Sequence, residues 1–163
     1  MQINVFCENN SKISSCVQEN ELEVIAQNFL KYVLDNQFVN SYSIENDYNF
    51  EILLTDNTFI HKINKEYRSK DMPTDVITFA LFADSENQFI LDNQIQLGQI
   101  IISLEKVAQQ AEENNISQKT ELLNLLAHGI LHLLGMDHTN DTDLDAMLSL
   151  QDKMIASVQN VKI

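Results

Sequence analysis

The sequence is poor in the residues that mark several large classes of protein. Its 163 residues include two cysteines, one proline, three glycines and no tryptophan. No apolar run approaches the roughly 20 residues that are needed to cross a bilayer. At 44% hydrophobic and 21% charged residues, the composition is typical of a globular protein. We therefore expect residues 1–163 to form a single domain that does not enter a membrane.

The few cysteines and the N-terminus indicate a reducing compartment. Cys7 and Cys16 lie near one end of the chain. Residues 1–8 lack the basic flank and long apolar core of a signal peptide. In such a chain two cysteines are more often reduced thiols than a disulfide. These features predict a cytoplasmic protein.

Basic residues are scarce as well. Ten lysines and arginines oppose 24 acidic residues, which gives a net charge of −14 at pH 7. This charge argues against broad, nonspecific binding to nucleic acid, which needs cations to replace condensed counterions. Four of the basic residues nevertheless lie within nine positions, and they include the only arginine: Lys62, Lys65, Arg68 and Lys70. Charge alone favours neither a solvated helix end nor a local site for an anion.

Three of the four histidines fall in one short segment, residues 127–138. The residues before it are rich in leucine and lack proline and glycine, which predicts a buried helix. On that helix, His128 and His132 are four residues apart and share a face. Gly135 stands where a helix typically ends, because glycine adopts the left-handed cap conformation at little cost. The chain can then turn and bring His138 to the same point.

Three converging imidazoles with a fourth position left open are the ligand set of a catalytic zinc site. Their spacing is that of the long zincin motif, in which a glutamate general base follows the first histidine. Gly129 occupies that position here, which weakens a peptidase interpretation. A glycine inside a helix costs about 1 kcal/mol relative to alanine. Either room for a substrate or close helix packing would explain Gly129. The alternative of three unrelated core histidines is disfavoured by the spacing.

The hydrophobic pattern predicts an α+β fold, with a small four-stranded sheet flanked by about five helices. The predicted strands are 3–6, 48–54, 76–82 and 97–102. Helices are expected to begin at the caps Asn20, Asp56 and Ser103, near residue 117 and in the acidic segment from residue 141. Tyr67 and Leu148 are expected on the inner faces of the second and fifth helices.

Three blocks match the motifs of one known family. Residues 128–138 read HGILHLLGMDH, residues 64–79 contain N-x-x-Y-R-x-x-D-x-P-T-D-V-I-T-F, and residues 97–103 read LGQIIIS. In this order the blocks resemble the YbeY family of bacterial rRNA-maturation endoribonucleases, over nearly the whole chain. The family usually has aspartate where this chain has Gln99, which removes an acidic group near the expected cleft.

The resemblance implies a zincin-like fold, one zinc ion per chain held by His128, His132 and His138, and a functional arginine, here Arg68. It also implies cleavage of single-stranded RNA, maturation of the 16S rRNA 3′ end and a part in ribosome quality control. The implied partners are the rRNA precursor and the small ribosomal subunit or its associated proteins, with no DNA substrate.

We expect Arg68 and His128 to be catalytic. The guanidinium of Arg68 is a planar fork that matches phosphate. Asp137 is expected to transfer a proton, to orient a ligand imidazole, or only to cap the turn. Metal-bound hydroxide and the RNA 2′-hydroxyl are the other candidates for proton transfer. The candidate substrate-binding residues are Lys62, Lys65 and Lys70.

Two other functions are compatible with the motif. The first is a zinc hydrolase of another bond, such as a peptide or amide bond. The second is a non-catalytic ribosome-assembly factor with a structural metal. A structural zinc is normally closed by four protein ligands. The second alternative therefore needs another ligand, such as His61 or a cysteine.

Overall fold

The computed structural model describes residues 1–159, and the last four residues of the predicted domain lie outside this range. The described part forms an α+β fold with four strands and five helices, which confirms the predicted class. No helix in this part is long and apolar enough to span a membrane. Along the chain the elements are β1 Ile3–Asn9, α1 Glu19–Asp35, β2 Asp47–Thr55, α2 Asn57–Arg68, β3 Val76–Phe79, β4 Gln94–Ser103, α3 Leu104–Glu113, α4 Gln118–Leu133 and α5 Asp141–Gln159.

The sheet is mixed and has the strand order β1-β2-β4-β3. β1, β2 and β4 run parallel, and β3 pairs antiparallel with β4. A bulge interrupts the pairing of β2 with β4, because Asn49 lies opposite Gln96 whereas Phe50 lies opposite Gly98. The extra residue, Leu97, shifts the alternation of side chains along β4. A Cβ at Gly98, where φ is +136°, would lie 1.8 Å from the Phe79 carbonyl oxygen, so only glycine fits there.

The two faces of the sheet are covered differently. α1 and α4 pack on one face and build the main core, and α5 packs across both of these helices. α2 covers part of the other face, where its Ile60 packs against Ile77 of β3 and Ile101 of β4. Since neighbouring residues on a strand point to opposite faces, Ile100 contacts the α4 side and Ile101 the α2 side. α4 therefore lies between the sheet and α5.

β3 is shorter than the predicted strand and ends at Phe79 instead of residue 82. After Phe79 the chain turns, and the backbone N–H of Leu81 bonds to the Phe79 carbonyl at 3.1 Å. Phe82 is still buried, with its backbone N–H donating to Leu97 of β4. Burial thus continues past the strand, and the apolar pattern alone overestimated its length.

Two of the three predicted helix caps are confirmed. Asp56 accepts a hydrogen bond from the backbone N–H of Phe59, and the Ser103 hydroxyl caps α3 in the same way. For α1 the prediction was wrong, since Gln18 occupies the cap position without a side-chain cap bond and Asn20 lies inside the helix. The cap of α1 therefore lies two residues before the predicted one.

The expected inner faces of α2 and α5 are wrong at one position each. Tyr67 is 61% exposed and packs edge-on against Phe79, with ring centroids 5.3 Å apart. Leu148 is 42% exposed. On α5 the buried positions instead include a polar residue, Gln151.

Candidate metal centre

α4 and the turn that follows it carry the three clustered histidines. The helix is capped by the Ser117 hydroxyl, which accepts a hydrogen bond from the N–H of Thr120 at 3.0 Å. At its other end, the N–H of Gly135 donates to His132 O at 2.9 Å and the N–H of Met136 donates to the carbonyl of residue 131 at 3.0 Å. This pair of bonds is a Schellman motif, and Gly135 has the expected positive φ of +83°. The turn sends His138 back toward α4.

The structure brings His128, His132 and His138 together. One ring nitrogen from each lies within 4.8 Å of the others. The Nε2 atoms of His128 and His132 are 2.9 Å apart, and the ring centroids of His138 are 5.6 and 5.7 Å from those of the other two. A tetrahedral zinc with Zn–N bonds of about 2.0–2.1 Å would separate two ligand nitrogens by about 3.3 Å. The donors present therefore fit a zinc ion after a small movement of the rings.

Two of these histidines are held in the neutral state that metal binding requires. Burial, followed by the charges of His132 and His138, lowers the pKa of His128 below its usual 6.5. Burial also lowers the pKa of His132, although the nearby Asp137 carboxylate acts in the opposite direction. A neutral imidazole has a free lone pair, whereas a protonated one cannot coordinate a metal. Both shifts favour the form of the ring that can coordinate a metal.

No fourth protein ligand joins the cluster within residues 1–159. The ring of His61 contacts the carboxylate of Asp71 instead, with Nε2 and Oδ1 2.7 Å apart, and its side chain is 40% exposed. Cys7 is buried in the main core and Cys16 is exposed, both as free thiols. A metal on the three histidines would therefore keep a position open to solvent, as a catalytic site does.

That position faces a cleft of about 460 Å³. Arg68, from the end of α2, lies in its wall together with the three histidines. The other lining residues come from the loop before β3, from β3 and the turn after it, and from the turn after α4: Thr74, Asp75, Val76, Thr78, Ala80, Asp84, Gly135, Met136 and Asp137. The cleft thus joins segments that are far apart in the sequence.

Asn64 holds the loop that follows Arg68. Its side chain is buried, with the residue only 2% exposed, and its Nδ2 donates to the carbonyl of Met72 at 2.8 Å. The backbone N–H of Lys70 returns to the Asn64 carbonyl, and Ser69 between them adopts the left-handed conformation. In the sequence, Asn64 is the first residue of the motif at residues 64–79 that resembles the family, and no other feature marks it as a site residue. A buried amide beside a helix end fixes where Arg68 leaves the helix.

Two aspartates border the histidines. Asp75 was not predicted as a site residue, and its carboxylate accepts hydrogen bonds from the N–H of Val76 at 2.7 Å and from Gln110 at 3.1 Å. Asp137 accepts from the backbone N–H of His138 at 2.8 Å, so it does cap the turn. Its carboxylate also lines the cleft and partly offsets the lowering of the His132 pKa by burial. Asp137 therefore both caps the turn and lies near His132, one of the three candidate metal ligands.

Gln99 lies on the other side of the sheet from the histidine cleft. Its side-chain nitrogen donates to the Glu51 carboxylate at 3.1 Å, and both residues line a groove against α2. The expectation that the Asp-to-Gln difference removes an acidic group from the cleft is therefore wrong. The bulge at Leu97 is the reason, because without it Gln99 would follow Leu97 onto the inner face.

Gly129 is explained by packing. A Cβ at this position would lie 2.8 Å from Cγ2 of buried Ile100 on β4. The position therefore points to the sheet, and a glutamate there would begin in the core instead of the cleft. Close packing, one of the two expected reasons for this glycine, is the one that the structure supports.

The three lysines of the basic segment are exposed and do not line the cleft. Lys65 bonds to Asp71 with Nζ and Oδ2 3.1 Å apart. The hydrogen bonds from His61 and Lys65 lower the pKa of Asp71. Part of the local positive charge is therefore balanced by this carboxylate. Lys62, Lys65 and Lys70 all remain candidates for contacts with a substrate that extends beyond the cleft.

The fold and the cleft define an α+β protein in which three clustered histidines, able to hold a metal ion, line an open cleft. Comparison with known proteins gives the family, because the family model described as Endoribonuclease YbeY matches residues 6–159. Two relatives named Endoribonuclease YbeY illustrate the similarity. The one from Fusobacterium nucleatum is 40% identical over 91% of this chain and 86% of its own. The one from Bacillus subtilis is 38% identical over 79% of this chain and 81% of its own. The chain belongs to the endoribonuclease YbeY family.

A solved structure supports the fold. The chain is similar to a Thermotoga maritima protein determined in solution, with a TM-score of 0.58 and 25% sequence identity. The match covers 96% of this chain and 89% of that protein.

Proposed function

We propose that this protein is a zinc-dependent endoribonuclease that cleaves single-stranded RNA in the maturation of the 16S rRNA 3′ end and in ribosome quality control. Membership of the endoribonuclease family supports the reaction class. One structural observation carries the assignment to this cleft. Arg68, the only arginine in the chain, lies in the same cleft as the three histidines although it comes from a different helix. A metal cation and a fork of N–H donors can both stabilise negative charge on a phosphodiester; the three histidines could hold the first and Arg68 supplies the second.

A zinc ion on His128, His132 and His138 would act as a Lewis acid and lower the pKa of a bound water toward about 7. Arg68 presents parallel N–H donors that match two oxygens of a phosphate. Negative charge grows on these oxygens in the transition state, so this contact strengthens as the reaction proceeds. Loss of one such donor typically lowers kcat by about 100- to 1000-fold.

The candidate groups for proton transfer are the carboxylates of Asp75 and Asp137 and the 2′-hydroxyl of the RNA. Each oxygen of Asp75 already accepts a hydrogen bond, one from the N–H of Val76 and the other from Gln110. Asp137 uses Oδ1 for the turn, which leaves Oδ2 for a proton. We assign the transfer to Asp137, with the RNA 2′-hydroxyl as the alternative donor. His128 contributes as a metal ligand at the reacting centre.

The acidic surface limits how the RNA is held. With a net charge of −14, the protein gains little from nonspecific attraction to RNA. We propose that Lys62, Lys65 and Lys70 contact the strand outside the cleft, and that the small ribosomal subunit or its associated proteins present the RNA. This function places the protein in the cytoplasm, with one zinc ion per chain.

Replacement of Arg68 by alanine tests the assignment. We expect Arg68→Ala to abolish cleavage of a fluorescent single-stranded RNA while zinc content, measured by elemental analysis, stays the same. Arg68→Lys keeps the charge but loses the fork, so it should restore little activity. Lys31→Ala removes an equal charge from the exposed pair with Asp35 on α1 and is the matched control. Full cleavage by Arg68→Ala would exclude the role.

The same assay separates the other functions. Duplex RNA and casein are included as substrates, and cleavage of casein alone would replace the nuclease with a peptidase. The packing of Gly129 against Ile100 argues against that outcome, because no base follows His128 on the cleft side. Zinc binding without any hydrolysis would favour the assembly factor.

A further inference from the structure

α5 contributes a polar residue to the histidine site that neither the zinc motif nor the arginine block contains. Gln151 is only 8% exposed, although its neighbours on the buried side of α5 are apolar. Its Oε1 is fully buried and has no hydrogen-bond partner within residues 1–159. A buried acceptor without a donor destabilises the folded state, so its retention calls for a reason.

Gln151 faces His128. Both residues line a cavity of about 350 Å³ between α4, α5 and the start of β3. His128 turns its Nε2 to the metal position, where it is 2.9 Å from the Nε2 of His132. Nδ1 is therefore the ring nitrogen left for a partner. The Gln151 side chain is close enough to act on this ring, because it raises the pKa of His128 against the stronger effect of burial.

The other polar groups around His128 are less suited to this role. The carboxylate of Asp75 also lines the cavity, and each of its oxygens already accepts a hydrogen bond, whereas Oε1 of Gln151 accepts none. Burial raises the pKa of Glu121, which also hydrogen-bonds with Asn124. Gln151 is thus the uncommitted acceptor.

We propose that Gln151 is a positioning residue, whose Oε1 accepts the Nδ1–H of His128 and so fixes the tautomer that offers Nε2 to the metal. The inference rests on the metal centre of the proposed function. Residues that orient a ligand histidine in this way typically contribute 10- to 100-fold to metal affinity. α5 then supports the metal site directly and is more than a packing element.

The test measures zinc affinity by competition with a chelator. Gln151→Met keeps the length of the side chain but removes the acceptor, and we expect zinc to bind about 10- to 100-fold more weakly. Gln151→Glu keeps an acceptor at the same distance and should bind within a few-fold of the unaltered chain. Leu150→Met is the matched control, since it changes a buried neighbour on α5 without facing His128. Its affinity should not change.

A second measurement does not depend on any variant. In the zinc-bound, unaltered protein, nitrogen NMR of the histidine rings should show His128 protonated at Nδ1, with a proton that exchanges slowly. In Gln151→Met that proton should exchange faster. Should Gln151→Met fail to fold, Gln151→Glu and this spectrum decide the question.

Three results would overturn the inference: equal zinc affinity in Gln151→Met and the unaltered chain, an equal loss in Gln151→Met and Gln151→Glu, or an unprotonated Nδ1. In each of these the unaltered chain still binds zinc, so the proposed function survives. If the unaltered chain binds no zinc, the metal centre fails and this inference fails with it.

Discussion

Gly129→Ala tests whether the histidine helix is held against the sheet as closely as the structure indicates. The new Cβ would lie 2.8 Å from Cγ2, 3.0 Å from Cδ1 and 3.2 Å from Cγ1 of Ile100. Ile100 is completely buried in β4, so it has no open space to move into. Overpacking of this kind costs about 1–3 kcal/mol.

Alanine also favours the helix over glycine by about 1 kcal/mol. The net expectation is a loss of about 0–2 kcal/mol in the free energy of unfolding, which follows from these two opposing contributions. The measurement is urea unfolding of the metal-free protein, followed by circular dichroism. Zinc affinity should change little, because Gly129 faces the sheet and not the cleft.

A double-mutant cycle with Ile100→Ala makes the test sharper. That change removes all three contacted atoms and by itself costs about 2–5 kcal/mol. In this background Gly129→Ala should become stabilising by about 1 kcal/mol, because only the helix preference remains. The change of sign is specific to the contact. If Gly129→Ala stabilises the unaltered chain, or has the same effect in both backgrounds, the close packing is refuted.

Two further predictions concern the turn and the titration of the site. Gly135→Ala should cost about 1–2 kcal/mol, because φ is +83° there. It should also weaken zinc binding by displacing His138; an unchanged affinity in a chelator assay would contradict this. In the metal-free protein, the pKa values of His128 and His132 are lower in the folded than in the unfolded state. Their contribution to the free energy of unfolding should therefore be complete above about pH 6.5 and decrease as the pH falls below that value. Urea midpoints from pH 8 to 5 measure this, and His128→Gln/His132→Gln should flatten the curve; an unchanged curve would contradict the assignment.

The histidine cluster could be predicted from the sequence because its geometry is local. Two of its residues share a helix face by spacing alone, and Gly135 places the turn. The same holds for the caps Asp56 and Ser103, whose side chains bond within one helical turn. Local hydrogen bonding and helical periodicity are properties of short segments, so a single sequence contains them.

Long-range features could not be derived in this way. The bulge at Leu97 changes the face of the sheet to which Gln99 points, and the pattern of polar and apolar residues in β4 does not predict this bulge. The approach of Arg68 to the histidines depends on the buried Asn64 and on the path of the loop. The burial of Gln151 could not be predicted, because a single polar residue on the apolar face of a helix has the same pattern as a residue at the exposed edge of that face. Each of these depends on contacts between distant elements.

The contrast between local and distant parts of the cleft has a practical consequence for anyone who purifies this protein. The three histidines belong to one helix and its closing turn, whereas Arg68 reaches them only when α2 and its loop are docked. Damage that loosens α2 would leave the three histidines able to hold the proposed zinc ion but would remove the guanidinium. Preparations with one zinc per chain would then contain inactive molecules, and elemental analysis would overstate the number of working active sites.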